Sequence, residues 1–368
     1  MLVEKYNKMM RDNATVNLDR YANTKTMRRL KGKGQFCGMD YVRVKGLVPI
    51  EFYSRFNHCE NTAYTASKLT DEIEAILAGY VHDVGVLSFA HVNSFKKGDA
   101  LKQDKDELDI KTILSKDEEF MEYLHEDGIN LDDIVDASRY PLIDKEIPCL
   151  CLDRAEGGIL ATCLFWAHTH TFEEIEDLYN MLCYAENLNG MCVDIWNPRF
   201  KDFTGELYIN EHFTNADYED FFKAINIYSE KLLSKESRYM MEVLGLALRF
   251  YEDMGVIDEK VLFDLSEKEI IDRIMNSKYR DIWVDVTGIE KVDYGDKGLS
   301  FISKPKIRQA NPLCMGQMYL TEIDGISGDF YQELNPLWDS ILKTDLPITA
   351  NLSKATVKTL EKYRIGGK

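Results

Sequence analysis

Ala78-Gly-Tyr-Val-His-Asp-Val-Gly85 is the stretch from which the fold is inferred, because it places the imidazole of His82 directly beside the carboxylate of Asp83. Arg55-Phe-Asn-His58 supplies a second histidine upstream, and Cys151-Leu-Asp-Arg154 supplies another aspartate downstream. Two imidazoles and two carboxylates form a ligand set that suits one or two divalent cations. A cation of this kind can activate water against a phosphate ester. The candidate metal ligands are therefore His58, His82, Asp83 and Asp153.

Composition and charge limit the class of protein. The chain has 368 residues, of which 45% are hydrophobic, and this is enough for a large core in one or two domains. The sequence contains neither an apolar signal segment at its N-terminus nor an apolar run long enough to span a membrane. The formal net charge of -18 argues against a general binder of nucleic acids or anionic membranes, since its field repels both. We expect a cytoplasmic protein with free thiols.

Basic residues nevertheless form two islands in this acidic chain. The first runs from Lys25 to Lys33, and the second comprises Lys304, Lys306 and Arg308. Such islands suit a small polyanion. Each of these residues, taken singly, could equally well be a solvated surface residue without a ligand.

Helical periodicity dominates the first three quarters of the chain. Thr70 is a predicted N-cap, and the apolar residues after it place His82 and Asp83 at the C-terminal end of a buried helix that stops at Gly85. Capping boxes at Thr171 and Ser266 predict two further helix starts. Helices are also predicted over residues 172–188 and, as a pair, over residues 216–254.

The pattern changes beyond about residue 281. Ile282-Trp-Val-Asp-Val286 alternates, Tyr294-Gly-Asp-Lys-Gly298 is typical of a turn, and an extended run resumes at Leu299. Together these segments predict a β-hairpin. The expected fold class is mainly α, with a small β-rich C-terminal portion.

Three segments taken together resemble a known family. Tyr53-Ser-Arg-Phe-Asn-His58, His82-Asp-Val-Gly-Val-Leu-Ser-Phe-Ala-His91 and Asp153-Arg154 resemble, in order and spacing, the HD-domain metal-dependent phosphohydrolases. Within that family they are most similar to the deoxynucleoside triphosphate triphosphohydrolase, or dGTPase-like, branch. The resemblance extends over most of residues 25–315, with sharp motifs only between residues 53 and 154.

The resemblance implies an architecture. An HD-domain helical bundle would carry additional helices and the small β-rich C-terminal portion. The implied division is an N-terminal basic approach segment (1–49), an HD metal-binding core (50–165), a helical extension (166–280) and a β-containing C-terminal portion (281–368). Relatives in this branch are often oligomers, so a homo-oligomer is expected.

The resemblance also implies roles for individual residues. The four candidate ligands would hold a divalent metal (Mn, Mg, Fe, Ni or Zn), with Asp83 taking part in the chemistry. His91 would face the scissile phosphate as a general acid or orienting group, unless it is a structural histidine. Arg55 would bind phosphate oxygens. Gln35 would contact the sugar of a nucleotide substrate, and Lys304 and Arg308 would contribute to substrate binding.

The chain also departs from the pattern of that branch. Val86 stands where the branch usually has a histidine, and Val92-Asn-Ser94 lacks its usual aspartate. The usual His-Glu pair is missing, since His125-Glu126 has the features of a helix end.

Three functions therefore remain open. The first is hydrolysis of a deoxynucleoside triphosphate. The second is an HD-type nucleotide phosphomonoesterase or phosphodiesterase, and the third is a non-catalytic metal- and nucleotide-binding regulatory protein. An enzyme is expected, because a cage of buried charges without a metal would be costly to keep.

Overall fold

A computed structural model describes residues 1–101, 108–147, 149–185, 206–209, 215–304, 306, 308, 310, 313–314, 318–319 and 343–365. Helices dominate this part of the chain, and small sheets accompany them. One cluster of buried apolar side chains includes residues from Val3 to Leu360. The prediction of a mainly helical fold with a small β portion is confirmed, whereas the proposed domain boundaries stay a prediction.

The helices follow one another closely along the chain. They are α1 (Leu2–Asp12), α2 (Asp19–Ala22), α3 (Lys25–Leu30), α4 (Arg55–Leu69), α5 (Ile73–Val81), α6 (Val92–Lys96), α7 (Ile110–Leu114), α8 (Glu118–Asp127), α9 (Leu131–Ile134), α10 (Phe172–Asn180), α11 (Asn215–Leu233), α12 (Lys235–Asp253), α13 (Glu259–Asp264), α14 (Glu267–Met275), α15 (Arg280–Thr287) and α16 (Lys354–Leu360). Two π-helical segments, Arg154–Leu160 and Thr162–Trp166, lie between α9 and α10. None of the helices in the described ranges is both long and apolar enough to cross a membrane.

The strands form two small sheets. They are β1 (Leu182–Ala185), β2 (Glu206–Ile209), β3 (Val292–Tyr294), β4 (Ser300–Phe301), β5 (Leu313–Cys314), β6 (Met318–Tyr319) and β7 (Ile348–Ala350). One sheet has the order β1-β2-β5-β6, in which only the β2–β5 pair is parallel. The other has the order β3-β7-β4 with antiparallel pairs.

The predicted C-terminal hairpin is wrong. The alternating stretch Ile282–Val286 lies inside α15, where Trp283 and Val286 are buried three residues apart on one helical face. The extended runs on either side of the turn do form β3 and β4. They do not pair with each other, because β7 lies between them and bonds to both.

Two predicted helix bounds are also wrong. Thr70 has an extended backbone and ends α4, and Glu72 is the N-cap of α5. The helix that starts at the Thr171 capping box ends at Asn180, since Leu182–Ala185 pairs with β2 as a strand. Residues 186–188 of that predicted helix lie outside the described part of the chain. The Ser266 capping box and the pair of helices between residues 216 and 254 are confirmed.

Helix α4 is the central element around which the candidate site is built. It begins at the capping box of Ser54 and Asn57, in which the Asn57 amide donates to the Ser54 hydroxyl at 3.1 Å. Nearly all of its side chains are buried, polar ones included. It packs most extensively against α5, and α1 and the first π-helical segment also contact it. The polar side chains of α4 must therefore find partners inside the protein.

Candidate metal centre

His58 lies one turn inside α4 and is fully buried. Its Nε2 atom is 3.1 Å from Nε2 of His82 and 3.1 Å from Oδ1 of Asp153. Its Nδ1 atom donates to Oε2 of Glu156 at 2.5 Å. With its proton on Nδ1, His58 presents the lone pair of Nε2 to the centre.

His82 and Asp83 lie in the turn that ends α5. Nδ1 of His82 donates to the carbonyl of Gly79 at 2.7 Å, so its Nε2 also faces the centre. Oδ2 of Asp83 is 3.8 Å from Nε2 of both histidines, and Oδ1 of Asp153 is 3.5 Å from Nε2 of His82. All four predicted ligands are therefore brought together, and their metal-binding role stays a prediction.

The arrangement fits a divalent cation. Two imidazole lone pairs and two carboxylate oxygens converge on one point. At such short separations these atoms repel one another unless a positive charge lies among them. Among the described residues, His58, His82 and Asp83 offer ligand atoms that all lie within 4.8 Å of one another. Imidazole nitrogens and carboxylate oxygens suit borderline divalent metals such as zinc, iron or manganese.

The pKa values of the metal-free cluster also indicate that a positive charge stabilises it. Burial opposes protonation of His82, yet the charges of Asp83 and Asp153 raise its pKa to about 10. Burial would raise the pKa of Asp83, but Arg55 and the two histidines lower it to about 2. In the absence of a metal, protons supply the charge that the carboxylates require.

Arg55 is a partner of the metal centre. Its Nη1 atom lies 2.6 Å from Oδ2 of Asp83, and both side chains are almost completely buried. Its backbone amide donates to the carbonyl of Lys33 at 2.8 Å. Arg55 also lines the adjoining cavity, so a contact with phosphate stays a prediction beside this ion pair.

Glu156, which is not among the predicted site residues, has its carboxylate behind His58. Glu156 is 1% exposed, and its Oε1 atom accepts a hydrogen bond from the hydroxyl of Tyr53. A signal was present, because Glu156 follows Asp153 by three residues and shares its side of a helix.

A cavity of about 1210 Å³ adjoins the centre. Asp153 is the most exposed of the four ligands, with 37% of its side chain accessible, so the centre opens to the cavity on that side. Among the residues that line the cavity are Gln35, Arg55, His91, Arg154, Lys306 and Arg308. Oε1 of Gln35 is buried and has no hydrogen-bond partner among the described residues. The cavity thus combines cations with an unsatisfied acceptor.

Lys304 is not among the described residues that line the cavity, and its role in substrate binding stays a prediction. Its ammonium group pairs with Asp345, and about half of its side chain is exposed. Lys306 and Arg308 line the cavity instead. The first basic island is likewise partly structural: the guanidinium of Arg29 binds the carbonyls of Val84 and Val86, and Lys33 is buried.

The structure shows where the residues that depart from the dGTPase-like pattern lie. Val86 is buried in the protein and is not among the cavity-lining residues. His125 is exposed at the end of α8, as expected for a helix end, and Glu126 pairs with Arg20. Neither position supplies a catalytic side chain to the cavity.

Comparisons with known proteins bear on the fold. No protein-family model matches the chain, and no curated protein matches it. Among solved structures, the chain is similar to a phosphohydrolase from Bacteroides thetaiotaomicron VPI-5482, with a TM-score of 0.51 and 15% sequence identity. The match covers 76% of this chain and 76% of that one. The fold is therefore shared with a protein named a phosphohydrolase.

Proposed function

We propose that the protein is an HD-type, metal-dependent phosphohydrolase that acts on a nucleotide. The observation that carries the proposal is the convergence of His58, His82, Asp83 and Asp153 beside a cavity lined with cationic side chains. The fold shared with a phosphohydrolase supports the same class. A divalent metal held by these four residues would lower the pKa of bound water and neutralise charge on the phosphate.

The character of the cavity supports a nucleotide as substrate. Lys306 and Arg308 line it and can neutralise charge on a phosphate chain. Gln35 lies beside the centre: a β-carbon added at Gly157 would meet both its Nε2 and the ring of His58. Its Oε1, which has no hydrogen-bond partner in the described part of the chain, can accept a hydrogen bond from a sugar hydroxyl. The volume is ample for a nucleoside triphosphate, and a deoxynucleoside triphosphate is our first choice.

A second candidate is an HD-type nucleotide phosphomonoesterase or phosphodiesterase. The burial of Val86 and the surface position of His125 favour it, because neither position then supplies, among the described residues that line the cavity, a catalytic group expected of a triphosphohydrolase. A regulatory protein that binds metal and nucleotide without turnover is the third reading.

Product analysis separates these candidates. The purified protein, loaded with manganese or magnesium, is incubated with deoxynucleoside triphosphates, monophosphates and cyclic nucleotides, and the products are resolved. Release of inorganic triphosphate supports the first choice, whereas orthophosphate or ring opening supports the second. Binding without turnover supports a regulatory protein.

A separate variant tests the assignment of the metal ligands. Asp83→Ala should lose the bound metal and all turnover, while Asp177→Ala, at an exposed position on α10, should retain both. Metal content is measured by elemental analysis after gel filtration. Wild-type stoichiometry in Asp83→Ala would contradict the assignment.

A further inference from the structure

His91 and Arg308 form one unit on the wall of the cavity. Nη2 of Arg308 lies 3.3 Å from Nε2 of His91. A guanidinium can only donate hydrogen bonds and stays protonated in proteins, so Nε2 of His91 is the acceptor. To accept this bond, the ring of His91 presents the lone pair of Nε2 and carries its proton on Nδ1.

Other elements hold the same arginine. The hydroxyl of Ser229, on α11, donates to the carbonyl of Arg308 at 2.7 Å. The neighbouring Tyr228 interacts with the guanidinium, and its ring packs closely on Gly158, where an added β-carbon would lie 3.0 Å from Cζ. Gly158 belongs to the π-helical segment that directly follows Asp153. His91 and Tyr228 thus contact the guanidinium, and Ser229 holds the backbone of the same residue.

We propose that Arg308 holds the substrate phosphate next to the metal and that His91 is a positioning residue acting through Arg308. The proposal rests on the proposed function and deepens it. A general acid needs a proton to give to the leaving oxygen, and Nε2 of His91 already accepts a bond from Arg308. Protonating His91 would also place two cations 3.3 Å apart and remove the acceptor. Of the two roles expected for His91 from the sequence, general acid or orienting group, the geometry therefore favours the second, exerted through the guanidinium.

A double-variant cycle tests the coupling without requiring turnover. Binding of inorganic pyrophosphate to the magnesium-loaded protein is measured by calorimetry for the wild type, His91→Ala, Arg308→Gln and the double variant. Each single variant should weaken binding about tenfold, the effect of losing a hydrogen bond to a charged group. The double variant should bind pyrophosphate no more weakly than Arg308→Gln does, because both changes remove the same interaction. Additive losses would overturn the proposal.

A conservative variant adds a second readout. The amide oxygen of His91→Gln can still accept from Arg308, so its pyrophosphate affinity should stay within about threefold of wild type. Affinity as low as that of His91→Ala would count against orientation. Lys358→Gln, at an exposed position on α16, is the matched surface control. Metal content and melting temperature confirm that each variant is folded and loaded.

Leaving-group dependence distinguishes orientation from proton donation. Loss of a general acid penalises a nucleotide ester, whose leaving oxygen needs a proton, far more than p-nitrophenyl phosphate. Loss of orientation should lower kcat/KM by a similar factor for both substrates in His91→Ala. A loss confined to the nucleotide ester would overturn the proposal. If the wild type hydrolyses neither substrate, the proposed function fails, and the binding cycle still decides whether His91 acts through Arg308.

Discussion

His58 and Glu156 are joined by a buried hydrogen bond of 2.5 Å from Nδ1 to Oε2. The carboxylate has a second partner in the hydroxyl of Tyr53, which in turn accepts from Nδ2 of Asn61 at 2.8 Å. A carboxylate behind a metal-ligating histidine fixes the tautomer and makes the opposite nitrogen a better ligand. Glu156 thus determines that the Nε2 lone pair of His58 faces the centre.

We expect Glu156→Gln to weaken manganese binding about 10- to 100-fold, the usual effect of losing such a partner. The amide is nearly isosteric but carries no charge, so the basicity of His58 falls. Calorimetric titration of the metal-free protein measures the affinity. Glu176→Gln, at an exposed position on α10, is the control. Wild-type affinity in Glu156→Gln would show that Glu156 has no part in the centre.

Arg55→Gln should destabilise the metal-free protein more than the metal-loaded one. Without Arg55, the carboxylate of Asp83 loses its buried partner at 2.6 Å, and breaking such a pair costs about 3–5 kcal/mol. A bound metal would supply the missing charge and reduce the loss. Denaturant unfolding with chelator and with saturating manganese measures both values.

The control for this comparison is Arg280→Gln, since two thirds of the Arg280 side chain is exposed. It should change stability by less than about 0.5 kcal/mol in either condition. Equal losses for Arg55→Gln with and without metal would mean that Asp83 does not bind the ion.

The convergence of the four candidate ligands could be predicted from the sequence because each lies in a short motif with its own local signal. His82-Asp83 follows an apolar helix and precedes a glycine, and Arg55 and His58 are one helical turn apart. The spacing of Glu156 from Asp153 is a local signal, but the sequence does not show that the Glu156 side chain turns toward α4, so Glu156 was not predicted. Local motifs also cannot predict the hydrogen bond between Arg308 and His91, because these residues lie far apart in the chain.

The β portion shows the same limit. Turn residues between β3 and β4 predict a hairpin, but the strand that pairs with both comes from residues 348–350, far along the chain. Alternation in Ile282–Val286 was a weak guide, since over five residues it is compatible with one buried helical face. Long-range pairing and burial, rather than local propensity, determine both outcomes.

Gly157→Ala should disrupt the centre without unfolding the protein. A β-carbon there would lie 2.5 Å from Nδ1 and Cε1 of His58 and 2.7 Å from Nε2 of Gln35, far closer than packing allows. His58 must then move away from Glu156 and the other ligands. Manganese affinity should fall at least tenfold. Gly295→Ala, whose β-carbon would meet only Thr349 at 3.4 Å, should bind manganese as the wild type does.

Asp40 and Glu267 form a buried pair of carboxyl groups behind the segment that carries Gln35. A β-carbon added at Gly34 would lie 2.9 Å from Oδ2 of Asp40 and 3.1 Å from Oε2 of Glu267, so both oxygens face one point. Within the described ranges, neither oxygen has a hydrogen-bond partner. Burial and the charge of Glu267 raise the pKa of Asp40 to about 7 from its ordinary value of 3.8.

This raised pKa gives stability a predictable dependence on pH. Because the folded protein holds the Asp40 proton more tightly than the unfolded chain does, the stabilisation is complete below the ordinary pKa and is lost as pH rises from about 4 to about 7. Asp40→Asn cannot lose a proton, so its free energy of unfolding relative to wild type should increase between pH 5 and pH 8, by on the order of 2 kcal/mol. Urea unfolding at both pH values measures the change, with Asp281→Asn as the exposed control. A difference between Asp40→Asn and wild type that is the same at pH 5 and pH 8 would show that Asp40 does not titrate in this range.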